Sequence, residues 1–138
     1  MEVRRVLALS NGVAWWPVWY AWKTGNTGSA YLIVVAACAS FAMHMSETKH
    51  GMHPGGWLEL SSPVLLNLDR AAALAAATWF GVLWWVAGMP SLPAMVLSVG
   101  LVCSYLGEQT QSLPRYCVFH LLWHCAAYLA VYMVIAGT

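Results

Sequence analysis

The sequence predicts an all-helical integral membrane protein, a bundle of five transmembrane helices. Three observations carry that reading. Apolar residues make up 61% of 138 and charged residues only 8%, whereas a soluble domain has about a quarter of its residues charged. The apolar residues fall into five runs, at about 6–22, 29–45, 63–87, 92–106 and 116–136, each near the ~20 residues a helix needs to cross hydrocarbon. Apart from one long loop, the segments between the runs are short and rich in turn formers.

The first run follows Arg4 and Arg5 and is rich in tryptophan. Its full length distinguishes it from the short apolar stretch of a cleaved signal peptide. Thr24-Gly25-Asn26-Thr27-Gly28 is a turn cluster that separates it from the second run, which closes at His44. Residues 46–62 form the one long loop, where Glu47, His50 and His53 are expected in solvent and Gly51 and Pro54 end the helix. Met43, Met45 and Met52 read as apolar filler. The third run carries Asp69 near its start and then an alanine stretch, Ala71 to Ala77, that reads as a close-packing face. Gly88-Met89-Pro90 is a tight connection to the fourth run, which is short enough to suit a locally thin or protein-lined bilayer. A polar loop at 108–114 leads into the fifth run. There is no internal repeat, and residues 1–138 read as one transmembrane domain.

With five spans, Arg4, Arg5, Lys49, Arg70 and Arg115 fall on the N-terminal side and Lys23 on the other, which places the N-terminus in the cytoplasm or its organellar equivalent. The termini then lie on opposite faces. Tryptophans such as Trp15, Trp16, Trp19, Trp22, Trp84 and Trp85 gather near span ends, as in an aromatic belt. A net charge of +1 gives no electrostatic case for nucleic acid, so the bilayer and its lipids are the expected partners. The cysteines (Cys38, Cys103, Cys117 and Cys125) lie in or beside apolar runs without CxxC spacing and read as buried thiols.

The polar residues inside the runs are the functional signal. His120 and His124 stand one helical turn apart on one face of the fifth run. Ionisable residues are expensive within a bilayer and mark functional sites by default. In the five-span topology His44, Asp69, His120 and His124 reach one depth from three separate segments, and Ser40 lies one turn before His44 on the same helix face. That convergence points to a metal or a polar cluster. Each residue also has a plainer reading: Ser40 as helix-packing glue, Asp69 with Arg70 as an ion pair at the membrane surface. The helical spacing His44-x-x-Glu47-x-x-His50 allows a different metal site, against which Gly51 and Pro54 argue.

The runs Ser40-Phe41-Ala42-Met43-His44 and His120-Leu121-Leu122-Trp123-His124, with Asp69 between them, resemble the signature of the CREST membrane hydrolases. That superfamily includes alkaline ceramidases, adiponectin and progestin receptors, lipid-remodelling proteins and a myomaker-like group, whose first span Leu9-Ser10-Asn11 followed by Pro17 also resembles. The resemblance implies zinc held by His44, His120 and His124, with Ser40 and Asp69 beside the catalytic water. This chain departs from the pattern in two ways. It has room for five spans where the family has seven, which leaves two helices absent between Asp69 and His120, and its connection from His44 to Asp69 is longer.

Three neutral imidazoles leave zinc an open fourth position, as catalytic sites do. Asp69 then suits a general base and Ser40 a donor to the developing oxyanion. The expected reaction is hydrolysis of an amide or ester in a ceramide-like or phospholipid-like substrate. Two other classes share the residues: a non-enzymatic subunit of a larger membrane complex with a structural or vestigial metal site, and a haem-binding electron-transfer subunit with His44 and one histidine of the fifth run as axial ligands.

Overall fold

The first apolar run does not make one uninterrupted α-helix. In the computed structural model, which describes residues 3–48, 52 and 54–138, it forms α1 (Val3–Ser10), a 3-10 turn (Asn11–Ala14) and α2 (Trp15–Lys23). Asn11 and Gly12 are weak helix formers, and Pro17 has no N–H to give to the carbonyl four residues back, so the backbone tightens there. Helices α3 (Thr27–Met45), α4 (Gly56–Val86), α5 (Ser91–Gln109) and α6 (Leu113–Gly137) follow.

The turns obey local chemistry. Asn26 caps α3 by accepting from Ser29 N at 3.3 Å. Gly88, at φ 81°, closes α4 in the left-handed conformation that glycine adopts without strain. Helix α4 begins at Gly56, earlier than the sequence suggests, so the loop after α3 shrinks to 46–55 and Pro63 lies inside the helix. Neighbouring helical bonds carry the chain across the one bond that the proline removes.

Three helices are long and apolar enough to cross a membrane: α3, α5 and α6. The first run is interrupted as described, and α4 has the length but also carries Asp69, Arg70 and several tryptophans.

The α1–α2 segment runs parallel to α6. Ser10 meets His124, the Tyr128 hydroxyl donates to Asn11 Oδ1 at 3.0 Å, and the rings of Tyr20 and Tyr132 lie 5.0 Å apart. One end of the bundle is closed by Leu7, Met52 and Tyr116. The other is closed by a larger cluster that includes Ala14, Val18, Ala30, Ile33, Phe80 and Ile135. Helix α5 packs tightly on α6, since a Cβ added at Gly100 would stand 2.8 Å from the Ala126 Cβ. Helix α4 rests mainly on α3, held by Trp79 Nε1 donating to Ser29 Oγ at 2.9 Å. Helices α4 and α5 are joined by a tight turn but diverge from it, and a cavity opens between them.

Candidate metal centre

Each of the three histidines is delivered by helical periodicity. His44 sits in the last turn of α3, one turn after Ser40, and His120 and His124 occupy successive turns of α6. Packing of α3 against α6 brings them together. Ring centroids are 4.5 Å apart for His44 and His120, 4.7 Å for His120 and His124, and 5.4 Å for His44 and His124. One ligand nitrogen from each ring lies within 4.8 Å of the other two.

The surroundings hold these rings in place. His44 is fully buried and His124 is 5% exposed. His44 Nδ1 lies 2.8 Å from Glu47 Oε2, and the Tyr116 hydroxyl donates to Glu47 Oε1. His124 Nδ1 lies 2.6 Å from Ser10 Oγ, whose own proton goes to the Leu7 carbonyl. Among the described residues, His44 Nε2 is a buried nitrogen with no hydrogen-bond partner. A buried, unpaired imidazole nitrogen is costly unless something fills the position.

A metal fits this donor set. Two nitrogens on a metal with bonds of about 2.0–2.1 Å stand at most about 4.2 Å apart, close to the separation of these ligand nitrogens, which lie within 4.8 Å of one another. The Nδ1 partners are the kind of outer-shell groups that orient metal-binding imidazoles, and the orphaned Nε2 of His44 gains a partner.

The cluster forms one wall of a cavity of about 490 Å³ bounded by α3, α4, α5 and α6. Ser40 and Asp69 line that same cavity, so all five residues singled out from the sequence border one space. Ser98 and Tyr128 add further polar groups to an otherwise apolar lining.

Three sequence readings change, the first being the cysteines: Cys38 is exposed and Cys103, Cys117 and Cys125 are half-buried, so none is the buried thiol expected. Glu47, expected in solvent, is only 4% exposed and bridges His44 to Tyr116. Burial on its own would raise its carboxyl pKa, but hydrogen bonds from His44 and Tyr116 work against that and hold it below the ordinary value. Met52 fills apolar space as expected, buried against Leu7 and Tyr116. The alanine stretch is not a closed packing face, because Ala73, Ala76 and Ala77 border the cavity and their small side chains leave it open. Of the alternative His44/Glu47/His50 site, the first two are bonded to each other, while His50, like His53, lies outside the described residues.

Sequence reasoning missed Ser10 and Tyr116 as partners of the site. The pairs Ser10–His124 and Tyr116–Glu47 join residues 114 and 69 positions apart, which no local spacing reveals. The signal that could have found Glu47 was its position one turn after His44.

No family model matches the chain, and no solved structure does. The chain is similar to an uncharacterized permease of Schizosaccharomyces pombe, 24% identical over 139 aligned residues that cover 92% of this chain. It spans only about a fifth of that protein's length, 22%. With the three apolar helices, this similarity supports a membrane protein.

Proposed function

We propose that the chain is a membrane-embedded, zinc-dependent hydrolase that cleaves an amide or ester bond in a lipid, as its resemblance to the CREST hydrolases implies. The observation that carries this reading is the meeting of three imidazoles with Asp69 and Ser40 around one largely apolar cavity. His44, His120 and His124 would hold the metal. When bound, zinc supplies Lewis-acid polarisation of the scissile carbonyl and lowers the pKa of water toward about 7.

The chain's own side chains do the rest. Asp69 accepts a proton from the attacking water and returns it to the leaving amine or alcohol. The Ser40 hydroxyl donates to the carbonyl oxygen as negative charge develops there. The lining of α4, α5 and α6 reaches along α6 from His120 to Val134, about 21 Å at the rise of a helix. An apolar space of that length suits the hydrocarbon tail of a ceramide or phospholipid, with its polar linkage at the histidines.

In the five-span form of this reading, the α1–α2 segment and α4 also cross the bilayer, the N-terminus faces the cytoplasm and the termini lie on opposite sides. Labelling that finds both termini on one side overturns that topology. The hydrolase reading is tested with purified, zinc-loaded protein and a panel of ceramides and phospholipids. Release of fatty acid that a chelator abolishes and zinc restores is the expected result. A zinc-loaded protein that cleaves none of the panel overturns it.

The permease similarity favours a second reading, in which the cavity holds a transported solute. Solute uptake into proteoliposomes without lipid cleavage would select it over the hydrolase.

A further inference from the structure

The hydrogen bonds around two of the imidazoles determine which nitrogen of each carries the proton. The Ser10 hydroxyl gives its proton to the Leu7 carbonyl one turn back, so toward His124 its oxygen can only accept. His124 Nδ1 is then the protonated nitrogen and Nε2 holds the lone pair. Glu47 receives the Tyr116 hydroxyl on one oxygen and faces His44 Nδ1 with the other. With Tyr116 on Oε1, the other oxygen faces His44 Nδ1 as an acceptor, so His44 also bears its proton on Nδ1. The remaining nitrogen of His44 is the buried Nε2 with no partner among the described residues.

We infer that Ser10 and Glu47 are positioning residues that hold His124 and His44 in the Nδ1–H form, so that both offer Nε2 lone pairs to one cation, with Tyr116 fixing the Glu47 carboxylate. The inference rests on the metal reading above and adds residues that the histidine signature does not contain. It also gives α1 a role. The segment packs along α6 with Ser10 level with His124, so the first helix acts as a brace that sets the chemical state of a ring on the last. Holding the proton on Nδ1 prepares the rings in advance, because no tautomer shift or ring flip has to accompany metal uptake.

Two measurements on the full-length purified protein test this. In metal-free protein carrying ¹⁵N-labelled histidine, side-chain NMR should show Nδ1–H at His44 and His124, with Ser10→Ala moving His124 and Glu47→Ala moving His44 toward Nε2–H. In chelator competition, each alanine variant should bind zinc about 10–100-fold more weakly. Ser10→Thr and Glu47→Gln should recover much of that loss, since a hydroxyl or amide oxygen still accepts from Nδ1–H. Nε2–H at either histidine in the wild type, zinc binding unchanged in the alanine variants, or no recovery by the conservative variants overturns the inference. A wild type that takes up no zinc instead sinks the metal reading, and the metal-free spectra still decide whether Ser10 and Glu47 set the rings.

Discussion

The histidine end of the bundle and the wall formed by α4 and α5 are built on opposite principles. At the histidine end, Leu7, His44, Glu47, Tyr116 and His124 are buried and joined by hydrogen bonds from three parts of the chain. Along the wall, Phe80 is the one buried residue of the 31 in α4, and α5 buries only Pro93, Gly100 and Gly107. Polar groups away from water must be satisfied by neighbours, which forces enclosure. Apolar side chains in a bilayer carry no such requirement, because lipid serves them as well as protein does. The histidine end is enclosed by the chemistry of its polar groups, while the wall of α4 and α5 leaves apolar side chains exposed.

The sharpest way to break this contrast is to remove a histidine. His44→Ala, His120→Ala or His124→Ala should each abolish stoichiometric zinc, read by metal analysis of purified protein. Retention of full zinc in any of the three would dissolve the centre.

Next in size is Asp69, which borders the cavity but is not one of the three clustered ligands. Asp69→Asn should leave zinc bound and lower lipid hydrolysis by about 10²–10⁴-fold, as for loss of a general base. Loss of zinc together with activity would instead make Asp69 a structural support.

On the open wall, Ala77→Phe should fill part of the cavity, reducing turnover of long-chain lipids more than short-chain ones while zinc content stays constant. Equal loss across chain lengths would show that the tail does not occupy that space.

The smallest effects compare one substitution at two glycines. Gly100→Ala places a methyl group 2.8 Å from the Ala126 Cβ and 3.1 Å from the Trp123 ring, so it should destabilise by about 1–3 kcal/mol through overpacking. Gly81→Ala meets nothing within 4 Å and should stabilise α4 by up to about 1 kcal/mol through helix propensity. Thermal unfolding in detergent measures both, and shifts of the same sign would show that the two walls are packed alike.

Much of this molecule is legible in the residues themselves. Apolar runs punctuated by glycine, proline and asparagine locate the helices, because the spacing of breakers and the length of a run are local properties. The third apolar run starts at position 63, yet α4 begins at Gly56, because a helix can extend past the end of an apolar run and neighbouring backbone bonds carry it across Pro63. The His120–His124 spacing and the Ser40–His44 register follow from 3.6 residues per turn, so two faces of the site are fixed by periodicity. What periodicity cannot supply is the partner across a helix interface. Glu47 reads as a loop carboxylate until Tyr116 and His44 close on it, and Ser10 reads as part of a span until α1 lies along α6. The sequence alone therefore determined the helices and which side chains share a helix face, since those depend on neighbours a few residues away. Only the tertiary structure decided which faces meet, which ring nitrogens are held and where the cavity opens, since those depend on how distant helices pack.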